Sequence, residues 1–150
     1  GVEDLPDFCD YSMKNRTYRY AENNILYPFG YGLTYSKFSC SDLKYNDGKA
    51  SVTVTNTGNC DTEDVVQFYI KGIGENYVPN HSLCGFRRIF LKKGESTSVE
   101  VTIDERAFQS VDDNGVRAKT SDKFILYAGT SQPDALSAEL TGTGCLSINL

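Results

Sequence analysis

Hydrophobic and polar residues alternate with a period of two along most of the chain beyond residue 36. In Ser51–Asn56, two valines share one face and two threonines share the other. In Ser96–Ile103, Val99, Val101 and Ile103 alternate with polar residues in the same way. Because successive side chains of a strand point to opposite faces, this alternation predicts half-buried β-strands. No helical periodicity accompanies it, so the pattern predicts an all-β fold.

Turn signals separate the predicted strands at intervals of roughly ten residues, as in β-sandwiches. Asp47-Gly48 is a hairpin signal, because both residue types tolerate positive φ. Asp64–Lys71 carries apolar residues on both faces, which predicts a central strand. We therefore predict two packed antiparallel sheets, a β-sandwich of seven or eight strands. The predicted strands are Ser36–Tyr45, Ser51–Asn56, Asp64–Lys71, Leu83–Leu91, Ser96–Ile103, Lys123–Ala128 and Ala135–Leu140, with a further hairpin turn at Asp112-Asp113-Asn114-Gly115.

The first 35 residues have a different composition. Seven of the ten tyrosines lie in the first 45 residues, and Arg16–Tyr35 mixes aromatics with Gly, Pro and Asn without any period. Aromatic side chains supply large, stiff contact area, so we predict an irregular but ordered arm, residues 1–35, that lies against another surface and precedes a sandwich of residues 36–150. The residues predicted to dock are Arg16, Tyr18, Tyr20, Tyr27, Phe29, Tyr31 and Tyr35.

The charge balance and the hydropathy limit the classes of partner that this chain is predicted to bind. A formal net charge of −5 repels polyanions, so no nucleic-acid partner is predicted. No apolar run reaches the roughly 18 residues that a membrane span needs, so no membrane partner is predicted either. The first residues lack the basic start and apolar run of a signal peptide, which favours a mature product or an excised fragment.

Five cysteines, Cys9, Cys40, Cys60, Cys84 and Cys145, are scattered without a CxxC pair. An odd count in a domain of this size favours free thiols and a reducing compartment such as the cytoplasm, although one disulfide and a secreted location stay open. A single histidine, His81, is too few to complete a zinc site with these spacings. No metal or cofactor is predicted.

Catalytic chemistry has few candidates in this chain. His81 is the one possible imidazole base, and a lone loop histidine is more often solvated than catalytic. The run Asp112-Asp113-Asn114-Gly115 offers oxygen ligands for calcium, but it lacks a later bidentate glutamate and fits a hairpin turn better. The remaining acids fall mostly in turns, so no catalytic residue is predicted. Tyr77 is a candidate for stacking on a sugar, while Phe86 is expected to pack in the core.

Several long motifs resemble those of glycoside hydrolase family 3 enzymes. SMKNRTYRY followed by LYPFGYGLTYSKF resembles the junction that leads into their fibronectin type III-like domain. VTVTNTGNCDTEDVVQFYIKG, VPNHSLCGFRRIFLKKGES and FILYAGTSQPDALSAELTGTG resemble successive parts of that domain. Together these stretches cover nearly all 150 residues. The resemblance implies an immunoglobulin/fibronectin-III-like sandwich.

The resemblance also implies a parent enzyme of β-glucosidase or β-xylosidase type, a retaining exo-hydrolase of terminal sugars. In that family the aspartate nucleophile belongs to a (β/α)8 barrel and the acid/base commonly to an α/β domain, so no residue here inherits a catalytic role. The predicted function is a non-catalytic accessory domain that packs against those two domains. The alternative is a stand-alone carbohydrate-binding or adhesive module, with carbohydrate as its partner.

Overall fold

Nine strands and two short helices make up the regular structure of the residues described by the computed structural model. These residues are 3, 5–13, 15–21, 25–74, 80–112, 114–119 and 121–150, with residues 18 and 19 described by their backbone alone. The helices are α1 (Thr17–Tyr20) and α2 (Ala135–Thr141), and a 3₁₀ turn spans Glu105–Phe108. The strands are β1 (Phe38–Asn46), β2 (Lys49–Asn56), β3 (Thr62–Ile73), β4 (Ser82–Leu91), β5 (Ser96–Thr102), β6 (Gln109–Val111), β7 (Arg117–Lys119), β8 (Lys123–Gly129) and β9 (Leu146–Asn149).

Two antiparallel sheets face each other across the core. One has the order β1-β2-β5 and the other the order β4-β3-β8-β9, while β6 and β7 form a separate hairpin. The predicted all-β sandwich is confirmed, with seven strands in the two main sheets and nine strands in the described part of the chain. No helix in these described residues is long and apolar enough to cross a bilayer.

The core lies between the inner faces of the two sheets. Val52 and Val54 of β2 face Phe68 of β3 and Leu126 of β8, and all four side chains are at most 1% exposed. Burying a side chain of this kind contributes about 1.5–3 kcal/mol to the free energy of folding. The alternation in β2 therefore predicted its buried face correctly.

The first hairpin follows from its two turn residues. Asp47 and Gly48 join β1 to β2 with φ values of 47° and 76°, as the Asp-Gly signal predicted. This combination matches the right-handed twist of the paired strands, which is why such turns are favoured in two-residue hairpins. It sets the register that places Ala50 opposite Tyr45.

Strand β3 is buried on both of its faces. Phe68 and Ile70 point into the core, while Gln67 and Tyr69 on the opposite face are only 7% and 1% exposed. It has a paired neighbour on each side, β4 along residues 62–70 and β8 along residues 67–73. The predicted central strand is confirmed, and the outer face of its sheet must be covered by something other than the second sheet.

The prediction of a strand at Ala135–Leu140 is wrong, because this segment is helix α2. The Asp134 carboxylate accepts a hydrogen bond from the Ser137 amide at 2.8 Å, and Gly142 ends the helix with a φ of 71°. An acidic N-cap and a left-handed glycine after the last turn are the usual boundaries of a helix. In a segment rich in Ala, Leu and Glu, these two signals outweigh the apparent alternation.

Asn56 makes four side-chain hydrogen bonds that join three segments at one end of the sandwich: its own loop, residue 36 and the end of β4. Its side-chain nitrogen donates to the carbonyls of Cys60 and Leu91 at 2.9 and 3.0 Å. Its side-chain oxygen accepts from the Ser36 hydroxyl at 2.6 Å and from the Gly58 amide at 3.1 Å. The whole residue is buried, so each of these bonds replaces a bond to water that folding removed.

We expect Asn56→Ala to lower the free energy of unfolding by about 2–4 kcal/mol, because several buried polar groups lose their partner at once. Urea denaturation followed by tyrosine fluorescence measures the change. Asn149→Ala is the matched control, since Asn149 is exposed on β9 and the substitution should cost little. Equal costs for the two variants would contradict the role given to Asn56.

Candidate functional site: an aromatic docking surface

The arm is fixed on the outer face of the β4-β3-β8-β9 sheet by Gln67. Its side-chain nitrogen donates to the carbonyls of Gly30 and Thr130 at 2.9 and 3.2 Å. Its side-chain oxygen accepts a hydrogen bond from the Tyr69 hydroxyl at 2.5 Å. One buried amide thus ties the arm, the strand β3 and the segment after β8 together, and both of its polar atoms are satisfied.

Gly30 is the position where the arm comes closest to the sheet. A Cβ atom there would stand 2.3 Å from the Gln67 side-chain oxygen and 2.7 Å from the Tyr69 hydroxyl. The backbone also has a φ of 76°, which side-chain-bearing residues adopt only at a cost. Both constraints require glycine, so this contact depends on the residue type.

The turn around Gly30 presents aromatic rings to the outside. The Tyr31 amide donates to the Pro28 carbonyl at 3.2 Å, closing a four-residue turn. The rings of Tyr27 and Tyr31 stack across it with centroids 5.6 Å apart and planes 9° from parallel. Such a stack adds about 0.5–1.5 kcal/mol beyond the buried area, so the turn holds the two rings in a defined position.

The residues predicted to dock have different positions in the structure. Tyr35, Tyr27 and Phe29 are 92%, 70% and 49% exposed, whereas Tyr20 and Tyr31 are half-buried. Arg16 instead orders the arm locally, since its guanidinium donates to the carbonyls of Ser12, Asp7 and Asp10. The Tyr18 side chain and the whole of Tyr77 lie outside the described residues.

An open groove of about 490 Å³ separates the arm from strand β4. Phe29 and Leu33 line the arm side, and Leu83 and Phe86 line the strand side. Leu33 and Phe86 are 93% and 65% exposed, so both rims are apolar and open to solvent. Contiguous apolar surface of this kind marks interaction sites more often than it marks ordinary surface.

The charged groups of the groove are few and mostly compensated. Glu63 and Arg88 form an ion pair between neighbouring strands. Asp64 lies instead on the inner face of β3, opposite Ile89, where it adds to the desolvation that raises the pKa of the Cys40 thiol. Desolvation raises the pKa of the Asp64 carboxyl, although the Val65 amide donates to it at 2.7 Å. The charge of this carboxylate is therefore disfavoured by the interior of the sandwich, and it is not one of the charges on the outer face.

Three hydrophobic residues of β4 were missed by the sequence analysis. Leu83, Phe86 and Phe90 all face outward and are 38%, 65% and 55% exposed, so the expectation that Phe86 packs in the core is wrong. A bulge opposite Phe68 and Tyr69 shifts the register by one residue within β4. That shift reverses the faces on either side of it, which the simple alternation could not reveal.

His81 and the thiols take part in packing contacts. The His81 ring meets the Tyr69 ring edge-on, with centroids 5.4 Å apart. All five cysteines are unpaired, and burial raises the pKa of Cys40 to about 11 and those of Cys84 and Cys145 to about 12. At neutral pH these three stay in the thiol form and behave as small apolar groups.

Comparisons with known proteins agree with this architecture. The profile of the fibronectin type III-like domain matches residues 64–132. The chain is 38% identical over 149 residues to a xylan 1,4-β-xylosidase of Xylanibacter ruminicola, covering 94% of this chain and 17% of that protein. It is 40% identical over 100 residues to an exo-α-(1→6)-L-arabinopyranosidase of Bifidobacterium longum, covering 61% of this chain and 13% of that one. The crystal structure of a family 3 β-glucosidase from Bifidobacterium adolescentis is similar with a TM-score of 0.66 and 31% identity, over 83% of this chain and 18% of that chain.

The sheet order and these similarities define a fibronectin type III-like domain with its preceding junction segment. The chain is the domain of this kind found in family 3 glycoside hydrolases of the β-glucosidase and β-xylosidase type. It spans 17% and 18% of the first two curated relatives that it matches. It thus corresponds to a small accessory part of these larger relatives.

We expect Gly30→Ala to release the arm from the sheet, because the new methyl group clashes with Gln67 and the backbone φ becomes strained. The local cost of about 1–3 kcal/mol should reduce the hydrogen-exchange protection of the Tyr31 amide by about 10- to 100-fold. Gly32→Ala is the matched control, since a Cβ there meets nothing within 4 Å. Unchanged protection in Gly30→Ala would contradict the fixation of the arm by Gln67.

We expect Asp64→Asn to stabilise the chain at neutral pH and to lose this effect below pH 3.8, the ordinary carboxyl pKa. The folded state holds the Asp64 proton more tightly than the unfolded state does. Stability therefore falls as pH rises from 3.8 through the raised pKa, and the penalty is complete at neutral pH. The midpoints of urea denaturation at neutral pH and below pH 3.8 measure this change in stability. Asp122→Asn is the control, because the Asp122 side chain is fully exposed. A neutral-pH effect no larger than that of the control would refute this account.

Proposed function

We propose that this domain packs against the catalytic domains of its parent enzyme and stabilises them, with residues 1–35 as a docking arm and residues 36–150 as the sandwich. The observation that carries the proposal is the combination of exposed aromatics and a fixed backbone in the arm. Tyr27, Phe29 and Tyr35 are 49–92% exposed, yet the turn between them is held by Gln67. Pre-ordered aromatic side chains bind with little further loss of entropy.

The area available on the arm is sufficient for a stable contact. A tyrosine or phenylalanine buries about 150–250 Å² when it is covered, and each Å² of apolar area contributes about 25 cal/mol. Burial of three such rings therefore contributes several kcal/mol to the free energy of binding, from which the entropic costs of association must be subtracted. Inside one polypeptide those costs are reduced, because a tether keeps the partners at a high effective concentration.

The parent is proposed to be a retaining, exo-acting β-glucosidase or β-xylosidase that removes terminal non-reducing sugars. Its nucleophile and acid/base are assigned to the (β/α)8 and α/β domains that family members carry outside this segment. A retaining mechanism needs two carboxyl groups about 5–5.5 Å apart at a sugar pocket. The half-buried Asp64 lies instead on the inner face of β3, opposite Ile89.

A role in binding carbohydrate stays a prediction. It was based on Tyr77, which lies outside the described residues, so it gains no support from the geometry. We therefore keep the packing role as the single proposed function.

Mixing the 150-residue chain with the remainder of the parent enzyme tests the proposal. We expect the two pieces to associate and the melting temperature of the remainder to rise. Tyr27→Ser combined with Tyr35→Ser should weaken the association by about 10- to 100-fold, equivalent to about 1.4–2.8 kcal/mol. Val111→Ser with Val116→Ser is the control, since these valines are 53% and 57% exposed on the β6–β7 side. If neither association nor a thermal shift is detected, the packing role is wrong.

A further inference from the structure

The outer face of β4 carries apolar side chains that nothing in the described residues covers. We call Leu83, Phe86 and Phe90 the β4 stripe; they are 38%, 65% and 55% exposed. Their positions opposite Tyr69, Gln67 and Glu63 place all three on the outer face of the sheet. The arm covers the neighbouring part of this face at Gln67 and Tyr69. The β4 stripe is the part of the face beside it that stays exposed to solvent.

The stripe lies on an edge strand, since β4 pairs only with β3 in the sheet order β4-β3-β8-β9. Long edge strands with exposed hydrophobic residues are prone to aggregation unless something covers them. β4 is ten residues long, and two of its exposed residues are phenylalanines. A covering surface is therefore expected in the complete protein.

From these observations, and resting on the packing role proposed above, we infer that the β4 stripe and its groove are a second docking surface, occupied by an apolar surface of the parent's catalytic portion. The groove makes the stripe continuous with the arm, because Phe29 and Leu33 form its opposite rim. More than four-fifths of each matched relative lies outside the matched region, which supplies such a surface within the same polypeptide.

The charge distribution favours an apolar occupant. Arg88 lies on the outer face between Phe86 and Phe90 and is paired with Glu63, so these two charges largely cancel. A neutral apolar surface can cover this ion pair, whereas a charged polymer would find little net attraction. Burial of the phenylalanines then supplies most of the driving force.

Hydroxyl-radical footprinting of the 150-residue chain and of the full-length parent tests this inference. We expect the modification of Phe86 and Phe90 to fall by about tenfold in the parent, as for side chains at the core of an interface. Val111 and Val116 serve as internal references, because they are exposed and belong to the separate β6–β7 hairpin. Equal modification of Phe86 and Phe90 in both proteins would overturn the inference.

The same experiment separates this inference from the proposed function. Protection of Tyr27 and Tyr35 without protection of Phe86 and Phe90 would leave the arm as the docking strip and refute the second surface. Absence of protection at all four residues would refute both.

A variant gives an independent readout. Phe86→Ser with Phe90→Ser should lower the melting temperature of the full-length parent, while Val111→Ser with Val116→Ser should leave it unchanged. In the 150-residue chain the phenylalanine variant should melt at the original temperature, because both rings are already exposed there. An equal loss in the chain and the parent would mean that these residues stabilise only the domain, and would overturn the inference.

Discussion

The hydrogen bonds of Gln67 join the two parts of this chain. Strand β3 is central and buried on both faces, so its outer face needs a cover and its polar atoms need partners. The Gly30 carbonyl and the Tyr69 hydroxyl satisfy the Gln67 amide, and only a glycine can come this close. An unsatisfied buried amide would cost about 1–3 kcal/mol, so the arm and the sandwich stabilise each other.

This arrangement explains how a segment without a repeating pattern can be ordered. The turn at Pro28–Tyr31 is anchored through its backbone, which leaves its aromatic side chains available for other contacts. Tyr27 and Tyr35 remain largely exposed as a result. An arm fixed in this way is pre-organised for a partner, whereas a flexible tail would lose entropy on binding.

The surface around the groove differs from the rest of the domain. Elsewhere, exposed charges pair across strands, as Lys49 of β2 does with Glu100 of β5, or cap a helix, as Asp134 does for α2. Around the groove, apolar side chains are exposed and the ion pair of Glu63 and Arg88 is compensated. These features support the proposed docking surface of a domain that spans 17% and 18% of its first two curated relatives.

Sequence alternation alone determined the fold class, the central position of β3 and the buried face of β2. Local signals were sufficient for these features, because the alternation of buried and exposed side chains and the Asp47-Gly48 turn both depend on residues that are neighbours in the sequence. The motifs of the junction and of the later strands also sufficed to indicate the family. The segment of helix α2 was predicted as a strand, because its apolar residues fit the period of a strand as well as that of a helix. Only the capping residues at its two ends identify it as a helix.

Tertiary structure alone decided which aromatic side chains are exposed. The bulge in β4 brings Leu83 to the same outer face as Phe86 and Phe90, and no local pattern predicts where a register shifts. The contact of Gly30 with Gln67 joins residues 37 positions apart, so it follows from how the arm crosses the sheet. Exposure and long-range polar contacts depend on packing between distant segments, which the order of residues along the chain does not specify.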